Sequence, residues 1–221
     1  MTDTTVGAAA PVRKTVRSPW SWVPSLYFAE GVPYVVVITV SVIMYKRLGI
    51  SNTDNALYTS LLYLPWVLKP LWSPLVDMFG TKRRWVVSFE FIIAVGLAGV
   101  AFVLPLPLFF QLTLGVFWLM AFGSATHDIA ADGFYMLGLD QHRQVAFVGI
   151  RSTFYRVAMI SGQGLLVVLA GYLEERSGGH LALAWAITFA VLSGVFFCLF
   201  VYHRFILPYP PADHPSGAAA S

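Results

Sequence analysis

SPLVDMFGTKRRW, residues Ser73 to Trp85, places an Asp, a Gly and three consecutive cations inside an otherwise greasy chain. An apolar run of about 20 residues precedes the polar centre of this stretch, at 57–76, and another follows at 85–104. Flanks of that length are what a helix needs to cross the hydrocarbon core of a bilayer, so the stretch reads as a short loop between two spans. The composition agrees. Of 221 residues, 57% are hydrophobic and only 11% charged, and the mean hydropathy is +0.71. A soluble domain is about half apolar and about a quarter charged. This chain cannot cover itself with polar surface, and lipid is its expected solvent. The single cysteine, Cys198, excludes an intrachain disulfide and a Cys-based metal site.

Working outward gives six apolar runs, at 20–45, 57–76, 85–104, 108–131, 145–173 and 181–205. Polar or Pro-bounded breaks separate them: KRLGISNTDNA, the opening stretch, LPLP, GLDQHRQ and EERSGGH. Arg13, Lys14 and Arg17 precede a first run longer than a signal h-region, and no small-x-small cleavage site follows, so it reads as a retained span. The expected division is a polar tail at 1–18, a six-helix transmembrane bundle at 19–206, and a Pro-rich linker or tail at 207–221. Lys and Arg set the orientation. With the N-terminus inside, the inner segments hold Arg13, Lys14, Arg17, Lys82, Arg83, Arg84, Arg143 and Arg204, and the outer loops only Lys46, Arg47 and Arg176. Both termini are therefore expected in the cytoplasm.

The loop reads Ser73-x-x-x-Asp77-x-x-Gly80-x-Lys82-Arg83. It resembles the major facilitator signature Gly-x-x-x-Asp-x-x-Gly-Arg-Lys/Arg, which follows the second helix. Here Ser73 replaces the first Gly, and Thr81 stands where an Arg is usual. Gly80 permits a tight reversal between helices. The cations hold the loop inside, and Asp77 can latch a closed state against a helix N-terminus or an Arg. A generic turn with positive-inside charge is the plainer alternative. YFAEGVPYVV, YLPWVLKPLWSPLVD, GSATHDIAADGFY and FYRVAMISGQG are similar to segments of the AmpG-like muropeptide permeases. That branch also resembles acetyl-coenzyme A transporters and some siderophore permeases. The resemblance covers about residues 18–210. It implies an all-α bundle that is the N-terminal half of a twelve-helix fold, in the cytoplasmic (inner) membrane. It also implies import of muropeptides with protons, and a C-terminal six-helix half or a second copy as partner.

Ionisable groups at membrane depth are functional candidates by default. Glu30 and Arg156 lie at matching depths, about 15 Å in at 1.5 Å per residue. They are expected to face each other or a shared cavity; a static pair locking two helices is the alternative. Lys69 sits near the same level, unless it snorkels toward the inner surface. With Tyr34 and Tyr155 these form the candidate set for a small polar or anionic substrate or for proton coupling. Gly31 and Pro33 beside Glu30 suggest an opened helix. Asp128 and Asp132 share a helix face and, with Arg151 and Arg143, read as an inner gate; Asp77, Gly80, Lys82 and Arg83 form its loop part. Glu90 reads as reaching the interface or meeting Lys82 or Arg83. Ser161, Gly162, Gly164, Ala170 and Gly171 read as packing, and Trp20, Trp22, Trp72 and Trp85 as an aromatic belt.

Ser124, His127 and Asp128 lack the setting of a nucleophile elbow, so no enzyme is expected. His127 with two carboxylates is a weak metal signal, and neither metal nor cofactor is expected. No nucleotide-binding motif is present, and no nucleic-acid partner is expected. The reading is a secondary active transporter or half of one. Siderophores or acyl-coenzyme A type anions are alternative substrates, and a non-transporting scaffold or regulatory half is the alternative role.

Overall fold

A computed structural model describes residues 17–215. The expected tail at 1–16, with Arg13 and Lys14, and the last residues of the expected C-terminal tail, 216–221, lie outside the described residues. The described chain is helical almost throughout. After a single turn at Pro19–Ser21, α1 covers Val23–Val35 and continues through a π-helical turn at Val36–Val40 into α2, Ser41–Arg47. Three short helices follow: α3 (Asn52–Leu61), α4 (Leu64–Leu68) and α5 (Ser73–Met78), with a 3-10 turn at Lys69–Leu71. Then come four long helices: α6 (Lys82–Val103), α7 (Phe109–Gly138), α8 (Gln141–Arg176) and α9 (Leu181–Ile206). Pro19–Arg47 and these four are each long and apolar enough to cross a membrane. The molecule is a multi-pass membrane helical bundle.

The expected second span, 57–76, is not one helix. Pro65, Pro70 and Pro74 recur every four or five residues and enter the first turns of α4, the 3-10 turn and α5. Each removes a backbone donor and clashes with the preceding turn. The segment still runs the length of the bundle beside α7. Tyr58 meets Phe110 at one end, with ring centroids 5.7 Å apart, and Trp72 Nε1 donates to Thr126 Oγ1 at 3.2 Å further along.

The polar breaks supply helix caps. Ser51, Thr81 and Asp140 side chains accept from the backbone N–H of Asp54, Arg84 and Arg143 at 3.1, 3.2 and 2.9 Å. Gly80 takes φ +78°, the left-handed conformation that a Cβ disfavours, so the reversal before α6 depends on it. Pro33 does not open α1. The helix carries on, and its irregularity is the π turn just after the proline.

α6 packs along α7 and α9, and α1 along α8. Along the last seam, a Cβ on Gly31 would lie 2.8 Å from Ala158 Cβ, and one on Gly162 2.3 Å from Val35 Cγ1. These small residues bring the two helices close. Gly164 and Gly171 meet nothing within 4 Å and take no part. The start of α1 and the end of α9 share one end of the bundle, where Tyr202 Oη donates to the Ser21 carbonyl at 2.5 Å. Residues 207–215 fold back there. Leu207 is buried, and the Asp213 carboxylate accepts from the N–H of Lys82 at 2.6 Å and of Arg83 at 3.1 Å.

Two apolar cores result. One gathers Trp22, Leu26, Val86, Phe134 and Leu207 toward the end holding both chain ends. The other gathers Val36, Tyr45, Leu97, Phe117 and Phe189 beyond it. Trp22 therefore belongs to the core, 5.2 Å from Phe134 in an edge-on contact, and not to the expected aromatic belt. Trp20, exposed, fits that belt.

Candidate functional site

A layer of buried polar side chains separates the two cores: Glu30, Glu90, Ser124, Thr126, His127, Asp128 and His203. Counted along α1, α6 and α7, its acidic members lie about 10–15 Å in from the end that holds the chain ends, at 1.5 Å per residue. Buried charge survives only when paired or facing water, so the partners of each group show what the layer can do.

The front of the layer opens on a cavity of about 430 Å³ along the α1–α8 seam, lined by Tyr27, Glu30, Arg151, Ser152, Tyr155 and Arg156, with Met159 at its edge. Glu30 and Arg156 thus share a cavity, at the level fixed by the close approach of Gly31 to Tyr155 and Ala158. They form no ion pair within 4 Å among the described residues. Asp132 takes the nearby cation instead: Arg151 Nη2 lies 3.1 Å from its Oδ1, and Tyr27 Oη donates to the same oxygen at 3.1 Å. The Arg151 guanidinium also stands over the rings of Tyr27 and Tyr135, at 4.7 and 5.1 Å. Glu30 Oε2 is buried without a hydrogen-bond partner among the described residues. The charges acting on Glu30 are Asp128, Asp132, Arg151 and Lys69.

Asp128 and Asp132 have different partners. Asp128 turns toward the interrupted segment, where Trp66 Nε1 donates to its Oδ2 at 3.1 Å and Lys69 Nζ lies 3.9 Å away. Its Oδ1 has no hydrogen-bond partner among the described residues. One helical turn separates the two aspartates, and Asp132 faces α8. Arg143 is not part of either cluster; it pairs with Asp140 at 3.3 Å. Tyr34 packs edge-on against Trp66 and Tyr63, at 5.1 and 6.4 Å. The prolines of 64–74 make this arrangement, because the breaks at Leu64 and Lys69 turn Trp66 and Lys69 onto α7. Tyr27 and Trp66 are site residues that the sequence reading passed over. Both lie beside its motifs, yet aromatic residues are too common in spans to stand out.

Behind α7 the layer has a second cluster. Glu90 is fully buried and faces two histidines: His203 Nδ1 at 2.5 Å and His127 Nε2 at 3.5 Å. Ser25 Oγ meets His203 Nε2 at 2.8 Å. The expectation that Glu90 reaches the interface or meets Lys82 or Arg83 is wrong. α6 begins at Lys82, three residues before the expected boundary, which draws Glu90 deeper and turns it toward α9. In the loop, Asp77 pairs with Lys82 Nζ, while Arg83 donates to the carbonyls of Leu207 and Arg204. The loop cations are thereby tied to the returning chain end.

Comparison with known proteins follows this geometry. A family described as the BT1 family matches residues 30–218. A putative transporter named AmpG 4 from Rickettsia conorii is 30% identical over 185 residues, covering 77% of this chain and 41% of the relative. The anhydromuropeptide permease of Escherichia coli K12 is 30% identical over 158 residues, covering 66% of this chain and 30% of the relative. The chain thus spans between about a third and two fifths of these relatives.

Proposed function

The chain belongs to the BT1 family, and on that premise we propose that its bundle forms one wall of a secondary active transporter of the AmpG-like kind, importing muropeptides with protons. The working unit is the bundle at 19–206, and residues 207–215 of the expected tail at 207–221 fold onto it instead of standing apart, through buried Leu207 and the Asp213 cap on α6. A C-terminal six-helix half, or a second copy, supplies the facing wall. The membrane is the cytoplasmic (inner) one, with both chain ends on the cytoplasmic side, where six cations among the described residues gather: Arg17, Lys82, Arg83, Arg84, Arg143 and Arg204.

One observation carries this reading. Arg156 is exposed at the depth of Glu30, on the same stripe of α8 as Val145 and Ile160, which are each exposed by more than two thirds. An arginine facing lipid at that depth costs about 2.5–3.5 kcal/mol on insertion scales. A face holding both an arginine and bare aliphatic residues is best explained by protein cover with a wet cavity between. Transporters place substrate sites in that position, between bundles that rock against each other. Arg156 and Lys69 would hold anionic groups of the substrate, Tyr34 and Tyr155 would pack against its rings, and Glu30 would exchange the coupling proton. Asp132 with Arg151, Asp128 with Lys69, and the Asp77–Gly80–Lys82–Arg83 loop would act as gates. The names of the relatives are those of transporters and permeases, and the reading is of a carrier and not an enzyme.

The test is uptake of anhydromuropeptide into liposomes, with and without an inward proton gradient. The chain is reconstituted alone and together with a six-helix C-terminal half. Gradient-dependent accumulation only in the paired sample is the expected result. Accumulation by the chain proven monomeric by cross-linking would overturn the two-wall reading, and absence of uptake in every sample would overturn the substrate.

A further inference from the structure

The α6–α9 face carries a feature that the α1–α8 cavity does not account for. At the end holding both chain ends, a cleft of about 630 Å³ opens between the start of α6 and the end of α9, lined by Thr81, Arg84, Ser88, Arg204, Tyr209 and Asp213 among others. Its size is that of a ligand pocket, about 300–1,000 Å³. A second hollow of about 330 Å³ continues from it toward the bilayer centre. Val87, Phe91, Ile92 and Phe200 line that hollow, and it shares Val87, Ser88 and Arg204 with the cleft. A cationic mouth thus leads into an apolar groove along the same two helices.

Three arginines, Arg83, Arg84 and Arg204, line the mouth against one carboxylate, Asp213. Arg83 is engaged with the Leu207 and Arg204 carbonyls and stacks on the Tyr209 ring at 3.9 Å. The Asp213 carboxylate lines the cleft, but both its oxygens accept from the N–H groups at the start of α6. Arg84 and Arg204 are exposed, and neither has an ion-pair partner among the described residues. Trp85 and Tyr209 flank the mouth, as aromatic residues do at headgroup level.

We propose that this cleft binds the headgroup of one anionic phospholipid, its phosphate held between Arg84 and Arg204 and one acyl chain lying in the groove of Val87, Phe91, Ile92 and Phe200. Guanidinium groups suit phosphate because their paired donors match its oxygens. Basic pockets between membrane helices at headgroup level have this chemistry. The groove supplies what a free phosphate would not need, a place for the acyl chain. The site lies on the face away from the α1–α8 cavity and does not depend on what the cavity carries.

The test uses the chain in phosphatidylcholine nanodiscs doped with lipids brominated on their acyl chains. Trp85 lines a neighbouring hollow with Arg84 and Ser88, so its quenching, taken as the difference between the chain and its Trp85→Phe variant, reports occupancy. Brominated phosphatidylglycerol should quench at a lower mole fraction than brominated phosphatidylcholine, by about fivefold per arginine. Arg84→Gln with Arg204→Gln should bring the two lipids within about twofold, and Arg84→Lys with Arg204→Lys should restore most of the preference. A helical circular dichroism spectrum shows that each variant is folded. Equal quenching by both lipids, or a preference kept by the double Gln variant, would overturn the proposal. Loss of the preference in excess inorganic phosphate would overturn it too, assigning the mouth to free phosphate.

Discussion

Gly162→Ala tests the seam on which the cavity is built. The added Cβ would fall 2.3 Å from Val35 Cγ1 and 3.7 Å from Val35 Cβ. Val35 is fully buried, and a valine in a helix has one strongly preferred rotamer, so it cannot swing aside. α1 and α8 must part instead, and overpacking of this kind costs about 1–3 kcal/mol. Replacing a helical glycine with alanine returns about 0.5–1 kcal/mol. The expected net loss is about 1 kcal/mol, roughly a fivefold change in the folded-to-unfolded ratio. Gly164, two residues on, meets nothing within 4 Å, so Gly164→Ala should stabilise by the propensity gain alone. The propensity gain cancels between the two variants, and their difference isolates the clash, about 1–3 kcal/mol. Unfolding by sodium dodecyl sulfate in mixed micelles, followed by circular dichroism, measures both. In a Val35→Ala background the cost of Gly162→Ala should largely disappear, while the effect of Gly164→Ala should stay the same. Equal midpoints for the two alanine variants would refute the close packing of α1 on α8.

Four further outcomes are expected. Glu30→Gln in the reconstituted two-half transporter should abolish the dependence of uptake on the proton gradient while leaving membrane insertion intact; normal coupled uptake would remove Glu30 from that role. Asp132→Asn should weaken the hold on Arg151 by about 1–3 kcal/mol and raise the accessibility of a Ser152→Cys reporter to thiol reagents; unchanged labelling would count against an Asp132 gate. His203→Ala should cost about 3–5 kcal/mol in the micelle assay, because it removes the shorter partner of the Glu90 carboxylate and leaves only His127 at 3.5 Å, and a loss below about 1 kcal/mol would show that the cluster is hydrated. In a Cys198→Ala background, cysteines at Asn52 and Gly178 should react with impermeant reagents from outside intact cells and those at Thr81 and Gln141 should not; the reverse pattern would invert the topology.

Much of the fold was legible because spans announce themselves by length and composition. The start of α9 at Leu181 falls where the sequence put it, whereas α2 ends two residues later than expected, at Arg47, and α6 begins three residues earlier, at Lys82, because a charged residue beside a cap can still be helical. The second span escaped, since hydropathy counts apolar residues and does not register that Pro65, Pro70 and Pro74 each remove a donor. Depth was legible for Glu30 and Arg156, because the rise per residue is fixed. Which group faces which was not. Spacing puts Asp128 and Asp132 on one face, yet one turn of α7 separates a neighbour on α4 from a neighbour on α8, and helix rotation decides the outcome. His203 and Glu90 are 113 residues apart. Nothing local marks them as partners, and only the packing of α6 on α9 joins them.

The division of the two aspartates bears on how the bundle could move. Asp128 is tied to the interrupted segment through Trp66 and Lys69, whereas Asp132 is tied to α1 through Tyr27 and to α8 through Arg151. Glu30 lies between the two clusters and is acted on by both. A displacement of α8 away from α7 breaks the Arg151 contact and leaves Lys69 beside Asp128; a displacement of α4 does the reverse. Each motion removes one cation from the surroundings of Glu30 and leaves the other. The two contacts lie on different moving parts and can break in turn. That property would be lost if both aspartates met the same arginines of α8, as their shared face alone suggested.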